Sequence, residues 1–225
     1  RAIAGALAQM CIDGAGDGPT TCLQPVETGP DGFFSIMVPE GDRCAEGAVM
    51  RAVLVDAEKP PHAAMYCHLP FDELSGSTQL TITEPFRLYA TSPAVSKPEL
   101  GDERASRRVD LGDGLTVDVV PYDIFGSEVA SDYAALSAKS VSSDSPGLCF
   151  LSGDEDLDGL YAMSPDLPVL GEGVRVRIAN DQGLASGSAV EFFILGGIDC
   201  ELADGKAPEG DWVFIGTGSV SPDGS

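Results

Sequence analysis

Positive charge is scarce. Lysine and arginine number 13 against 36 aspartates and glutamates, a net charge of −23. So negative a surface repels the phosphates of nucleic acids and anionic lipid head groups, so neither is expected as a partner. The plain reading of the charge is solubility or salt tolerance. The functional reading is recruitment of divalent cations or of a basic partner. Histidine is limited to His62 and His68, too few for a histidine-rich metal centre, and neither sits beside a recognisable nucleophile. There is no GxSxG step, no GxxxxGK[ST] loop and no strand–GxGxxG–helix unit, and Gly14-Ala15-Gly16 lacks the remaining spacing. Cysteines form no CxxC pair, which argues against a zinc site or a redox dithiol. No apolar run approaches the roughly 18–20 residues of a membrane helix, so direct membrane insertion is not expected. A signal peptide is also lacking, and the chain starts at Arg1 without methionine. That fits a mature or excised piece of a longer protein.

What is present is a chain of 225 residues with 43% hydrophobic content. That is enough for two ordinary cores of about 100 residues each. The 27 glycines and 16 prolines favour turns over long helices. The six cysteines are Cys11, Cys22, Cys44, Cys67, Cys149 and Cys200. Their even number and wide spacing suit disulfides formed in an oxidising, extracytoplasmic compartment, on a cell surface or after secretion. If pairing respects domains, Cys149 bonds Cys200. Among the first four cysteines three connectivities are open, and Cys11–Cys22 with Cys44–Cys67 is the expected one.

Short alternating runs between turn signals dominate the chain. Phe34, Ile36 and Val38 alternate with Phe33, Ser35 and Met37. Leu80 and Ile82 alternate with threonines. Leu115, Val117 and Val119 oppose Thr116 and Asp118, and Val174, Val176 and Ile178 oppose Arg175 and Arg177. This period of two marks half-buried antiparallel strands. Gly29-Pro30-Asp31-Gly32, Gly112-Asp113-Gly114 and Ser221-Pro222-Asp223-Gly224 supply the turns. Ser131 to Ser140 reads equally as a strand or as one or two helical turns. Thr91 to Arg108 is polar, holds Pro93 and Pro98, and is the best linker. The division expected is 1–91 and 92–225.

Two stretches resemble known families. The opening Ile3-Ala4-Gly5-Ala6-Leu7 is followed by Thr28, Asp31, Gly32, Phe34, Ile36, Val38, Pro39 and Gly41 in the form T-x-x-D-G-x-F-x-I-x-V-P-x-G. This resembles the carboxypeptidase-regulatory-like, transthyretin-like β-sandwich. Farther on, Tyr161, Pro165, Asp166, Val174, Val176, Ile178, Trp212, Gly216 and Val220 look like the strand pattern of bacterial relatives of ZU5 domains. The resemblances imply two antiparallel β-sandwiches that space or present other parts of a large exported protein. The second pattern would normally continue past Ser225. Some eukaryotic ZU5 relatives pair with a domain that self-cleaves at a His-Phe-Ser step. No such step occurs here, so self-cleavage is not implied. The partners implied are neighbouring domains of the same polypeptide or other protein subunits.

Chemistry is sparse. In Asp154-Glu155-Asp156-Leu157-Asp158-Gly159, carboxylates at alternate positions before a glycine can wrap a hard cation. The ligands would be Asp154, Asp156 and Asp158 with the Leu160 carbonyl, which makes calcium the one cofactor suggested. An EF-hand would need glutamate where Pro165 stands. The plainer reading is an acidic surface turn. Asp13, Gly14, Asp17 and Gly18 form a weaker turn of the same kind. Sugar binding needs exposed aromatic rings. Trp212, in the apolar run with Val213, Phe214 and Ile215, reads as core. Phe192 and Phe193 are adjacent, so in a strand one must face outward, where it would mark an interface. The expectation is an all-β, disulfide-containing, non-catalytic structural, spacer or adhesion segment with no catalytic residue.

Overall fold

The computed structural model describes residues 1–13, 21–42, 47–56, 59–69, 79, 81–83, 85–91, 95–96, 104–120, 122, 135–145, 147–151, 156–164, 174–197, 201–202, 205–207 and 209–222. The protein is all-β, and every ladder among the described residues is antiparallel.

Ala8, Met10 and Ile12 point to one side of β1 (Leu7–Asp13) and are buried there, as the period of two of a strand requires. Its edge toward the N-terminal loops is shared by two short strands, β2 (Thr21–Cys22) and β3 (Val26–Glu27). On the other side β4 (Gly47–Val53) pairs along its whole length, from Leu7↔Val53 to Asp13↔Gly47. The sheet closes with β5 (Met65–His68) against β4. Thr28 pins the entry: its hydroxyl donates to the Ile3 carbonyl at 2.7 Å and accepts the Ala6 amide at 3.0 Å.

One face of this sheet carries Ala8, Met10, Ile12, Ala48 and Met50, all buried. Leu23, Phe34, Ile36, Val38 and Phe86 cover it. The expected alternation of 33–39 is real: Phe34, Ile36 and Val38 turn inward while Phe33 and Met37 are 77% and 87% exposed. The expected hairpin strand is not. The turn forms, with the Gly32 amide donating to the Gly29 carbonyl. The segment after it joins no ladder among the described residues. The reason is that β2 and β3 already occupy that edge of β1, so the segment lies over the face. At 81–83 no burial alternation appears, and Ile82 is exposed. Leu80 lies outside the described residues.

The second half holds a small sandwich. One sheet is β6 (Val95–Ser96), β9 (Ala135–Ser140) and β10 (Tyr161–Ser164), in the order β10-β9-β6. The other is β7 (Arg107–Gly112), β8 (Leu115–Val119) and β11 (Arg175–Ile178), in the order β11-β8-β7. Their facing residues form one core: Val109, Leu111, Leu115, Val117 and Val119 pack on Leu136 and Ala138, with Val174, Val176 and Ile178 at its side. Ser131 to Ser140 thus resolves as strand from Ala135 onward. The β7–β8 turn is the one the Gly-Asp-Gly signal demands, with Gly112, Asp113 and Gly114 all at positive φ. Asp113 also ties the two sheets, accepting the Ser140 amide on its carboxylate and the Tyr161 hydroxyl on its carbonyl.

The last elements form a long ribbon, β12 (Ala189–Leu195) paired with β15 (Trp212–Ser219). A bulge lies between Phe192 and Phe193, and a small hairpin of β13 (Glu201–Leu202) with β14 (Gly205–Lys206) lies between the two strands. Although rich in apolar residues, the ribbon contributes none of its side chains to the fully buried core.

Candidate functional sites

Among the described residues two disulfides are present. Cys11 and Cys22 face each other in the β1–β2 register, with Cα atoms 3.9 Å apart. This is the expected pair. The other bond is Cys67–Cys149, with Cα atoms 5.4 Å apart and a sequence separation of 82. It corrects the expected Cys44–Cys67 and Cys149–Cys200 pairings. Cys67 is a buried residue on β5, the edge strand of the first sheet, and the 147–151 loop of the second half packs there. Spatial contact, rather than closeness in sequence, chose the partner. Cys44 and Cys200 lie outside the described residues.

The disulfide stands in a junction. The Phe150 ring joins Phe86, Leu88 and Tyr89 against Ala52, Met65 and Cys67. Trp212 donates its indole N–H to the Phe150 carbonyl at 3.2 Å and meets the Phe150 ring edge-on at 5.6 Å. Trp212, expected in the core, is instead partly exposed and packs at this junction. One residue earlier, Asp211 Oδ1 lies 2.8 Å from His68 Nε2. Gly210 fits between these groups at φ +79°. A Cβ there would stand 3.2 Å from His68 Nε2 and 3.3 Å from Val49 Cγ1. Nearby, Thr91 Oγ1 and Ser137 Oγ share a buried hydrogen bond at 2.5 Å. Covalent, aromatic and polar contacts thus all cross the sequence position where the linker was expected.

The histidines have structural surroundings. His62 Nδ1 sits 2.7 Å from the Pro60 carbonyl, and His68 is engaged with Asp211. Among the described residues one trio of ligand-type atoms converges: Cys11, Cys22 and Glu209. Two of its members are the sulfurs of a disulfide, which offer no thiolate to a metal. In the acidic turn, Asp156 and Asp158 are exposed. The Leu160 carbonyl accepts the Val141 amide at 2.9 Å, and the Asp158 carbonyl accepts from Gln182. Asp154 lies outside the described residues, as do Gly14, Asp17, Gly18, Pro165 and Asp166.

The outer face of the β11-β8-β7 sheet carries a charge cluster that composition did not reveal. Asp118, on the central strand, takes Arg177 Nη2 on Oδ2 at 2.8 Å and Arg108 Nε on Oδ1 at 3.2 Å. The hydrogen bond from Arg177, helped by Arg108 and opposed by desolvation, holds the Asp118 carboxyl at about 2. The same contact raises Arg177. Burial, followed by the charges of Asp181 and Asp113, pushes the Tyr161 phenol up. The i, i+2 spacing of Arg175 and Arg177 opposite Asp118 was the available signal for this cluster.

On the ribbon, Phe193 and Phe214 pair across the strands, ring centroids 5.7 Å apart and planes at 67°. Both are about half exposed, as is Ile215. Phe192 turns the other way, over Gly218.

No family model, curated protein or solved structure matches the chain. No helix among the described residues is long and apolar enough to cross a membrane. The two disulfides fit an oxidising, extracytoplasmic environment.

Proposed function

We propose that the chain is a non-catalytic structural, spacer or adhesion segment of a larger secreted or cell-surface bacterial protein. It would be built from a transthyretin-like part over 1–91 and a ZU5-like part over 92–225. The observation that carries this reading is the junction. A disulfide closes a long loop across the two parts, and Trp212, Phe150, His68 and Asp211 reinforce it. Two sandwiches on a free linker would pivot; tied in this way they transmit load and hold a fixed separation. Single-molecule stretching tests it. In the oxidised chain the segment from Cys67 to Cys149, a sequence separation of 82, stays hidden. Reduction should release roughly 280 Å of extra contour at about 3.4 Å per residue. Equal extension before and after reduction sinks the spacer reading.

The exposed Phe193–Phe214 pair favours a second reading, in which the segment adheres through carbohydrate. A glycan array in which Phe193→Ser abolishes the hits supports it; an array without hits removes it. For calcium dependence, the expected outcome is a melting temperature that rises with calcium and falls with chelator, and Asp156→Ala should abolish the response.

A further inference from the structure

Strand β11 is a terminal strand of its sheet, and no described strand pairs with its far edge. Its ladder with β8 fixes which groups face that edge. The Ala179 amide donates to the Gly114 carbonyl, so Ile178↔Leu115 and Val176↔Val117 are the non-hydrogen-bonded pairs of this antiparallel ladder. The N–H and C=O groups of Val176 and Ile178 therefore point outward, to the edge that no described strand occupies. On one face beside that edge lie Val176 and Ile178, packed against the sandwich core yet only partly buried. On the other face lie Arg175 and Arg177.

Arginine on an edge strand by itself only deters a second edge from docking. The state of these arginines goes further. Both oxygens of Asp118 are taken, by Arg177 and Arg108. Arg177 Nη1 is shielded from water and has no acceptor among the described residues, a costly condition for a donor. Arg175, exposed, sits opposite Asp118 in the register but forms none of these ion pairs. In a chain of net charge −23, this face holds Arg108, Arg175 and Arg177 against Asp110 and Asp118, a local surplus of cations.

We propose that the open edge of β11 captures an extended acidic segment of a partner protein by strand addition. The recognised chemistry is alternation: carboxylates at every second residue, facing Arg175 and Arg177, with apolar residues between them that complete the cover over Val176 and Ile178. The added strand's main chain bonds the outward groups of those two residues. Cross-strand side chains then stand within about 4.5–5.5 Å at Cβ, the range in which opposite charges stabilise a pair.

The test uses a labelled, capped peptide of alternating glutamate and valine against the whole oxidised chain, followed by fluorescence anisotropy at low salt. A lysine–valine peptide is the comparison. The expected result is saturable binding of the glutamate peptide and none of the lysine peptide. Binding should weaken tenfold or more in Arg175→Glu, which changes an exposed side chain. Val176→Pro should weaken it similarly, because proline removes an amide that points away from the β8 ladder. Amide exchange at Val176 and Ile178 in the unmodified chain should slow when the glutamate peptide is added, a readout that needs no variant. Equal binding of both peptides, no saturable binding, unchanged exchange, or wild-type affinity in either folded variant overturns the proposal. So does sedimentation showing that a second copy of this chain protects the same two amides without peptide.

Discussion

Asp118 stands between two guanidinium groups on the solvent side of a three-stranded sheet, and its chemistry sets a pH limit. Its carboxyl titrates at about 2 in the folded protein, against about 3.9 in an unfolded chain. A depressed carboxylate contributes stability that is fully present above the unfolded value and disappears as pH falls through the folded one. Asp118→Asn should therefore melt below the wild type at neutral pH. The two curves should converge between about pH 4 and pH 2. A constant gap across that window, measured by thermal denaturation, contradicts the assignment. Gly114 makes a second claim at this scale. It sits at φ +76°, and a Cβ there would lie 2.7 Å from Ala179 Cβ. Gly114→Ala combines a left-handed backbone with a steric overlap that the rigid β7–β8 turn cannot relieve. A loss of roughly 2–4 kcal/mol is expected in chemical denaturation.

At the scale of elements, much of the strand plan was legible because period-two alternation encodes it directly. Leu115, Val117 and Val119 bury while Thr116 and Asp118 face outward. The Gly-Asp-Gly step makes the turn its dihedrals require. The alternation at 33–39 announced which side chains turn inward, but not that the segment would lie over a face without a ladder. Burial pattern speaks of faces, whereas pairing depends on which edges are already occupied. Ser131 to Ser140 was ambiguous because its residues fall at mixed helical and strand spacings; pairing with β10 and β6 decided it from Ala135 onward. The disulfides carry the element-scale prediction. In the chain-entropy description, the Cys67–Cys149 loop is worth on the order of 4–5 kcal/mol and the shorter Cys11–Cys22 loop about 3. Replacing Cys67 and Cys149 together by alanine should thus lower the denaturant midpoint more than replacing Cys11 and Cys22. The reverse order contradicts the junction's role.

For the whole molecule, composition and cysteine count spoke for an oxidised β-protein. They did not speak for how its halves meet. Phe150, His68 and the Asp211-Trp212 pair are far apart in sequence, and no local pattern marks them as neighbours. The arginine cluster was hidden for a related reason: a strongly negative total conceals one face on which arginines converge. Only the register of three strands reveals it. One covalent bond decides how the halves meet: the edge strand of the first sheet is bonded to a loop of the second half. Peptide mapping of the non-reduced protein by mass spectrometry reads it directly. The predicted result is a cross-linked pair carrying Cys67 and Cys149. A cross-link between Cys149 and Cys200, with Cys67 bonded to Cys44, would contradict it.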